Sequence, residues 1–299
     1  MINLNNEIMM QTEAMLLQNE EIQTQRDELE QVNNLLFKHN QNIESSIWYA
    51  HTIQKAILPS KSNIDKYFEH FVVFKPRDIV SGDFYWFNRL PGDDSQPHKF
   101  IMAVVDCTGH GVPGALMSMI GSRLISEIVN ERNITDPARI LVELNKLINI
   151  VLKQDTEDNI DGMDIALCYV VKDSEDKSTI TFSGANRPIY ILRKGSETIE
   201  TIKGNRKTIG GIMPDLDAEF ENHSFNLTKG DMIFMNSDGY IDQNGEDGRK
   251  LSVIKFHNMI FEKADQPMNE IGEYLDISFD VYRGKQSQRD DATVLGIRF

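Results

Sequence analysis

The first 58 residues of the chain contain neither glycine nor proline, and all 19 glycines and all 9 prolines lie beyond them. Because these two residues interrupt helices more than any others, so long a run without them favours one continuous helix. Apolar residues recur in this run at every seventh position, which is one seam of the heptad pattern of a coiled coil. The seam consists of Ile8, Met15, Ile22, Leu29, Leu36, Ile43, Ala50 and Ile57.

The second seam of the heptad is poor, because three residues further on the chain mostly carries polar side chains such as Gln11, Gln18 and Gln25. A coiled coil with one apolar and one polar seam is marginal and adjustable. We therefore predict a homodimer through residues 8–57. A solvated helix without a partner is the alternative.

The helix is predicted to end at Leu58-Pro59, since proline disfavours helical geometry in the residue before it. The pattern of residues changes at the same point, from a polar helical pattern to short apolar runs. We therefore divide the chain into a helical coiled-coil and linker region, 1–60, and a folded domain, 61–299.

Short apolar runs separated by turn residues fill that domain. Turns of glycine, aspartate, asparagine and serine favour antiparallel hairpins over parallel crossovers. Helices are predicted over 113–132, 137–154 and 268–282, the second with Asp136 as its cap and Pro137 at its first position. This order favours an α+β fold, an antiparallel β-sandwich flanked by helices. The predicted strands are 71–75, 83–90, 99–107, 163–171, 178–184, 188–194, 231–238 and 292–299.

The composition excludes several classes of function. The chain has 46 acidic and 31 basic side chains, whereas affinity for nucleic acid comes from clustered lysine and arginine, so we expect no nucleic-acid partner. No apolar stretch comes near the ~20 residues of a membrane span, and the N-terminus lacks the pattern of a signal peptide, so we predict neither. Two cysteines are too few for a disulfide scaffold, which favours the reducing cytoplasm.

Four aspartates lie where predicted strands meet turns, namely Asp83, Asp106, Asp238 and Asp290. Any one of them, taken alone, is typical of a turn, because its side chain can bond nearby backbone. Together they would bring carboxylates to the rim of a buried core, where ionised groups repel one another unless a cation neutralises them. Ligands that are all oxygen favour hard cations such as Mn²⁺ or Mg²⁺. The set therefore predicts a site for one or two divalent ions.

The segment VVDCTGHGVPGALMS, 104–118, places several glycines directly after Asp106. Gly109 and Gly111 would allow a tight turn into a helix that starts at Pro113. They would also let the backbone approach an ion closely enough for a main-chain carbonyl to bind it. The positive end of that helix favours an anion such as phosphate. A glycine-rich helix cap without any chemistry is the alternative.

Six segments of the sequence resemble, in the same order, the stage II sporulation protein E family. These are the bacterial regulator-of-sigma serine phosphatases among the metal-dependent type 2C protein phosphatases. The segments are DIVSGDFYWF, VVDCTGHGVPGALMSMIG, MDIALC, FSGANRPIYILR, GDMIFMNSDGYIDQNG and RDDATVLGI. IQKAILPS, 53–60, also resembles the linker helix that precedes the domain in that family, so the resemblance covers about residues 50–299. It implies the type 2C fold, an αββα sandwich with two Mn²⁺ or Mg²⁺ ions at one end.

The resemblance also assigns metal ligands. Asp106 matches the carboxylate that bridges both ions, and Cys107 matches the position whose backbone carbonyl is a ligand. Asp238 and Asp290 match two further metal aspartates. Asp83 matches an aspartate that binds the second ion directly or through water.

Three further residues are candidates for binding the substrate. Arg77 lies close in sequence to Asp83, although a solvated arginine is the alternative. Eukaryotic type 2C enzymes have a proposed general-acid histidine two residues after the bridging aspartate, whereas His110 lies four residues after Asp106. That role therefore does not carry over to His110, for which packing in the turn is the alternative. Asn186 belongs to GANRP, which matches a family turn whose role can be purely structural.

The resemblance implies hydrolysis of phosphoserine or phosphothreonine on a regulatory protein in bacterial signal transduction. Two ions would activate a water molecule that attacks phosphorus directly, with no phosphoenzyme. The phosphoprotein that the resemblance suggests is an anti-sigma-factor antagonist. The alternative is a non-catalytic signalling module of the same fold that binds a partner protein through its coiled coil and domain surface. A metal-dependent nuclease is disfavoured by the acidic composition.

Overall fold

The contacts within the molecule divide the chain into two compact units, Met1–Tyr49 and Ala50–Phe299. Helix α1 (Ile2–Ile57) provides the first unit and ends within the second, two residues before Pro59. The second unit therefore takes in the end of a helix that the sequence assigned to the coiled-coil and linker region. The computed structural model describes residues 2–92, 97–211 and 219–299.

The first unit is helical throughout its described residues, so the long N-terminal helix is confirmed. Large apolar side chains of the seam are exposed within this unit, which is typical of a helix face that takes a partner. Pairing through residues 8–57 stays a prediction. The members of the seam that are exposed in this unit are Ile8, Met15, Ile22, Leu29, Leu36 and Ile43.

The second unit contains two sheets in which all neighbouring strands are antiparallel. Its strands are β1 (Glu69–Lys75), β2 (Phe84–Arg89), β3 (His98–Cys107), β4 (Gly162–Lys172), β5 (Lys177–Ala185), β6 (Ile189–Leu192), β7 (Ile199–Ile202), β8 (Ile209–Gly210), β9 (His223–Thr228), β10 (Met232–Asn236) and β11 (Ala292–Arg298). The first sheet has the order β1-β11-β10-β6-β7. The second has the order β2-β3-β4-β5-β9, with β8 beside β4. The eight predicted strands all form, and β7, β8 and β9 are additional to them.

Helices cover the outer faces of the two sheets. They are α3 (Gly111–Ser126), a π-helical segment (Glu127–Glu131), α4 (Pro137–Val151), α5 (Asp238–Asp242), α6 (Ser252–Glu262) and α7 (Met268–Arg283), whereas α2 (Lys61–Asp65) contributes Ile64 to the core between the sheets. The predicted cap of α4 is present, because the Asp136 side chain accepts the backbone N–H of Arg139 at 2.9 Å. Of these elements α2, α5 and α6 were not predicted from the sequence.

The side chains of β3 alternate between two cores, as the period of a strand requires. Phe100, Met102 and Val104 lie in the core between the sheets. Their neighbours Ile101 and Ala103 face the other way and pack with α3 and α4. A third core lies between the first sheet and helices α6 and α7. The layers are therefore helix, sheet, sheet, helix, and the predicted α+β sandwich is confirmed.

This alternation decides where the acidic side chains go. Asp106 continues the even-numbered series of β3, so it lies on the face between the sheets, at the end of the strand. Asp164 is its direct partner across the β3–β4 pairing and has the same parity as the inter-sheet residue Ala166. Asp83 precedes β2 with the parity of Tyr85, which is also in the inter-sheet core. One end of the inter-sheet space therefore carries carboxylates from three neighbouring strands.

The described residues contain one helix that is long and apolar enough to cross a membrane, the 21 residues Gly111–Glu131. The expectation that no apolar stretch reaches that length was therefore wrong. Of the most apolar 18 residues of this helix, 56% are buried inside the fold, including Ile125 and Ile128 in the core beneath α4. A helix buried in a protein core passes the same test of length and composition, and the packing here is of that kind.

Candidate active site

Three carboxylates converge on one arginine at the end of the inter-sheet space. Nη2 of Arg187 lies 2.9 Å from Asp106 Oδ2, 3.2 Å from Asp164 Oδ2 and 3.0 Å from Asp238 Oδ2. The backbone N–H of Asp238 also donates to Asp106 Oδ2 at 3.2 Å. Asp106, Asp164 and Arg187 are largely buried, whereas Asp238 is half-exposed at the rim. The structure thus joins two predicted ligands, Asp106 and Asp238, that are far apart in the sequence.

Asp83 is the most deeply buried of the predicted ligands, at 2% exposed. The side chains of Ser237 and Thr293 lie near its carboxylate and lower its pKa, which favours the ionised form. Among the described residues its second oxygen, Oδ2, has no hydrogen-bond partner. Burial, and next the charge of Asp106, raise the pKa of Asp83 well above its ordinary value. A buried, half-satisfied carboxylate beside another carboxylate is costly unless a cation joins it.

The charge of Asp106 is incompletely neutralised. Burial raises the pKa of Asp106, Arg187 lowers it, and Asp238 and Asp164 raise it again, so that it reaches about 7. One guanidinium therefore does not offset desolvation together with the neighbouring carboxylates. An additional cation at this point would favour the ionised form.

Asp290 lies beside this cluster through its backbone. Gly239 packs directly against the backbone of Asp290 and Asp291, which places the turn after Asp238 next to the start of β11. The Asp290 side chain accepts the backbone N–H of Asp291 at 2.9 Å. Asp291 is buried and accepts backbone N–H groups from Arg77 at 2.7 Å and from Gly82 at 2.6 Å. It therefore fixes the backbone that leads into the Asp83 position.

The glycines around Asp106 serve close backbone packing. Gly109 and Gly111 have φ angles of +79° and +62°, a left-handed region that favours glycine. A side chain on Gly82 or Gly114 would collide with the Gly109 carbonyl. The loop after β3 is therefore clamped between the segment before β2 and the first turn of α3. This arrangement explains why a strand-to-helix turn uses several glycines rather than one.

Cys107 is fully buried, and its thiol is unsuited to attack a substrate. Burial, then the charges of Asp106 and Asp83, raise the pKa of the Cys107 thiol well above its ordinary value. The reactive form of cysteine is the thiolate, which these surroundings disfavour. The part of this residue that can contribute to the site is its backbone carbonyl, which lies close to Gly82.

The three predicted substrate residues have different surroundings. Arg77 donates from Nη1 to the Arg289 carbonyl at 3.2 Å. His110 is part-exposed, with Nδ1 2.7 Å from Asp78 Oδ2. Asn186 donates from Nδ2 to Asp164 Oδ2 at 2.8 Å. Asn186 therefore supports a carboxylate of the cluster, and the contact of these residues with substrate stays a prediction.

Sequence reasoning missed the parts that Asp164 and Arg187 play. Asp164 is the second residue of MDIALC and looks like a residue at the start of a strand, and Arg187 lies in a turn motif. The signal that could have found Asp164 is the pairing of β3 with β4, which places it opposite Asp106. Arg187 carries no comparable signal, because its contacts depend on the folded turn.

The donor set fits a hard divalent cation. All of its side-chain donors are oxygens, one buried oxygen of Asp83 is unpartnered, and Asp106 is incompletely neutralised. In the described part of the chain, no group of three or more aspartate, glutamate, histidine or cysteine side chains is arranged as a ready metal cage. Arg187 accounts for this, since its guanidinium stands where Asp106 and Asp238 meet.

A family model and two curated proteins are similar to this chain. Residues 96–299 match the family model described as stage II sporulation protein E (SpoIIE). Phosphoserine phosphatase RsbU of Bacillus subtilis is 27% identical over 211 residues, which is 70% of this chain and 57% of RsbU. Phosphoserine phosphatase RsbP of the same organism is 20% identical over 255 residues, 84% of this chain and 57% of RsbP. The chain thus spans 57% of the length of each of these curated relatives.

Solved structures share the fold over most of the chain. The SiaA-PP2C domain of Pseudomonas aeruginosa is 33% identical, with a TM-score of 0.74 over 87% of this chain and 98% of that one. The PP2C phosphatase domain of SpoIIE from Bacillus subtilis is 22% identical, with a TM-score of 0.59 over 77% of this chain and 63% of that one. With the family model matching about two thirds of its length, the chain belongs to the stage II sporulation protein E family, whose fold is that of the type 2C protein phosphatases.

Proposed function

We propose that this protein is a Mn²⁺- or Mg²⁺-dependent phosphatase that hydrolyses phosphoserine or phosphothreonine on a regulatory protein of bacterial signal transduction. The observation that carries the proposal is the convergence of Asp83, Asp106 and Asp238 at one end of the inter-sheet space. Family membership supports it, because two curated relatives are named phosphoserine phosphatases.

The carboxylates of Asp83, Asp106, Asp238 and Asp290, with the backbone carbonyl of Cys107, would hold the two ions. When bound, such ions activate water for attack on phosphorus and stabilise the negative charge that develops on the phosphoryl oxygens. The protein fixes these donors before any substrate arrives. Ser81 accepts the backbone N–H of Asp83, and Asp291 accepts that of Gly82, so both bonds support the backbone at this position.

The first turn of α3 is placed to favour an anionic substrate. The helix begins at Gly111, a few residues after Asp106, and the backbone N–H groups of its first turn, which Pro113 lacks, have no partner within the helix. The N-terminal end of a helix carries a partial positive charge and attracts phosphate. A phosphoryl group over the site would therefore meet backbone donors from this chain as well as the ions.

A direct attack by water agrees with the state of the two cysteines. Cys107 and Cys168 are buried, and burial raises the pKa of both thiols. Neither can supply the thiolate that a phosphocysteine intermediate would need. The reaction therefore has no protein thiol as nucleophile.

The partner and cellular setting follow from the same resemblance. We propose a phosphorylated anti-sigma-factor antagonist as the substrate, a homodimer through residues 8–57, and a cytoplasmic location. The exposed apolar seam of α1 supports the homodimer, and the excess of acidic side chains agrees with a protein rather than a nucleic-acid substrate.

The test is turnover of a phosphoserine peptide and of a phosphorylated anti-sigma-factor antagonist by the full chain, with Mn²⁺, with Mg²⁺ and with chelator. We expect Asp106→Asn to abolish turnover while the fold persists, and Asp176→Asn, an exposed carboxylate on another loop, to leave turnover unchanged. Equal turnover in chelator and in Mn²⁺ would contradict the proposal. Binding of the phosphoprotein without turnover would instead support a non-catalytic module.

A further inference from the structure

Arg187 stands between the carboxylates that the proposed ions would need. We propose that Arg187 is a built-in counter-ion, which competes with the metal for Asp106 and Asp238 and so sets the affinity of the site. The inference rests on the proposed function, because it concerns the same site. Arg187 is a positioning residue in this scheme, since it holds the carboxylates together whenever the ions are absent.

A single nitrogen of Arg187 makes all three contacts, at 2.9, 3.2 and 3.0 Å to Asp106, Asp164 and Asp238. An NH₂ group has two hydrogens, so it cannot donate fully to three carboxylates at once. Arg187 Nε is buried, and among the described residues it has no hydrogen-bond partner. The guanidinium is therefore held through one nitrogen, which donates to Asp164 and Asp238, without the bidentate fork that makes arginine pairs strong. A cation held in this way is displaceable.

Asp164 is the carboxylate that would remain paired with Arg187 when the ions bind. Its Oδ2 also accepts from Asn186 Nδ2 at 2.8 Å, and its Oδ1 accepts from Thr208 Oγ1 at 2.8 Å. These bonds hold the Asp164 carboxylate without help from Arg187. If Asp106 and Asp238 bound the ions, Arg187 would still pair with the buried Asp164 carboxylate. It would therefore not become an unpaired buried charge, which is strongly destabilising.

The charges favour the exchange. Arg187 brings one positive charge to three carboxylates, and a fourth carboxylate, Asp83, lies close enough to feel the charge of Asp106. A divalent ion brings twice the charge of a guanidinium to the same oxygens, so it is preferred once present. It must first displace two ion pairs of Arg187, and this competition weakens the measured affinity for the metal.

The experiment measures the affinity of the full chain for Mn²⁺ alone by calorimetric titration with MnCl₂, and its melting temperature in chelator. Arg187→Met keeps the length of the side chain and removes its charge. We expect it to melt at a lower temperature than the wild type in chelator, and to bind Mn²⁺ with a Kd about tenfold lower, because both competing ion pairs, with Asp106 and Asp238, are lost. Arg187→Lys, whose single ammonium reaches fewer carboxylates, is expected to fall between the two.

Arg193→Met is the matched control. Arg193 also pairs with carboxylates, Asp231 at 3.2 Å and Glu200 at 3.2 Å, but it lies outside the cluster. Its loss is expected to lower the melting temperature equally with and without Mn²⁺ and to leave the Kd unchanged. A folded Arg187→Met or Arg187→Lys protein that binds Mn²⁺ as weakly as the wild type, or more weakly, would overturn the inference.

A double-mutant cycle tests the part given to Asp164. Asp164→Asn is expected to weaken Mn²⁺ binding in the wild type, because Arg187 loses its second position, and to have little effect in the Arg187→Met protein. An equal loss in both backgrounds would make Asp164 a direct ligand and overturn this step. A wild type that binds no Mn²⁺ would overturn the proposed function itself, an outcome distinct from failure of the competition alone.

Discussion

Gln54 and Ser81 are joined by a pair of hydrogen bonds. The Gln54 side chain donates from Nε2 to the Ser81 carbonyl at 2.6 Å and accepts the Ser81 N–H on Oε1 at 3.1 Å. Nε2 also donates to Ser118 Oγ on α3 at 2.9 Å, and Gln54 is 4% exposed. Ser81 Oγ in turn accepts the backbone N–H of Asp83 at 3.0 Å. One side chain from the end of α1 therefore holds both segments that lead to the carboxylate cluster.

We expect Gln54→Ala to lower the free energy of unfolding by about 2–3 kcal/mol, because three buried hydrogen bonds are lost and the Ser81 backbone is left unsatisfied. The Mn²⁺-dependent turnover should fall as well, since the segment before Asp83 loses its support. Urea unfolding and the phosphopeptide assay measure the two effects. Gln23→Ala is the control, because Gln23 lies exposed on the same helix and its side chain donates to Asp27, one turn away, at 3.0 Å. A Gln54→Ala protein with wild-type stability would show that the Gln54 hydrogen bonds contribute nothing to the free energy of unfolding.

Gly114 lies in α3, where alanine is ordinarily favoured over glycine by about 1 kcal/mol. We nevertheless expect Gly114→Ala to destabilise the protein by about 2 kcal/mol, because the new methyl group would meet the Gly109 carbonyl and lie 2.9 Å from Gly82 Cα. Both obstacles are backbone and cannot turn aside. Gly121→Ala on the same helix is the control, since its nearest neighbour is the flexible end of Met163. Denaturant unfolding measures the free energy of unfolding of the two variants. Equal values would contradict a clash between the new methyl group and the Gly109 carbonyl.

The fold could be predicted from the sequence because its central strands are nearly continuous apolar runs. β3 and β4 are buried from both sides by helices and the facing sheet, so their sequences contain little else than apolar residues. β7 and β9 are only partly buried, β7 is just four residues long and β9 (His223–Thr228) contains mostly polar residues, so their sequences lack a clear strand signal. These strands form because β6 and β5 offer them an edge, which is a tertiary effect.

The residues of the candidate site also differ in whether the local sequence could predict their position. Asp106 and Asp238 each follow an apolar run, so their place at the rim of the core could be predicted from the local sequence. Asp164 needs the register of β3 against β4, and Arg187 needs the conformation of the turn after β5. Neither property is local. The sequence therefore predicted the carboxylates Asp106 and Asp238 at this site and not the arginine that pairs with them.

The exposed seam of α1 leads to a prediction about association. If the proposed homodimer forms through this seam, Leu29→Glu should shift the full chain from dimer to monomer in sedimentation velocity at micromolar concentration, because it places a charge at the centre of an apolar contact. Leu17→Glu is the control, since Leu17 is equally exposed but lies two positions from the seam. A wild type that sediments as a monomer, or equal effects of both variants, would contradict pairing through residues 8–57.

Asp231 gives the protein a stabilising contribution that depends on pH. It is buried, and although burial raises its pKa, hydrogen bonds from the N–H groups of Thr228 and Lys194 and from Arg193 outweigh this, so the pKa lies below its ordinary value. A carboxylate with a lower pKa in the folded state stabilises the fold above its unfolded pKa of about 3.9, and that stabilisation is lost as the pH falls through the folded value. We therefore expect Asp231→Asn to be destabilised relative to the wild type at pH 7, with the difference shrinking below pH ~4. Urea unfolding between pH 7 and pH 3 measures it, with the exposed Asp176→Asn as control; a difference that stays constant with pH would show that the charge of Asp231 contributes nothing.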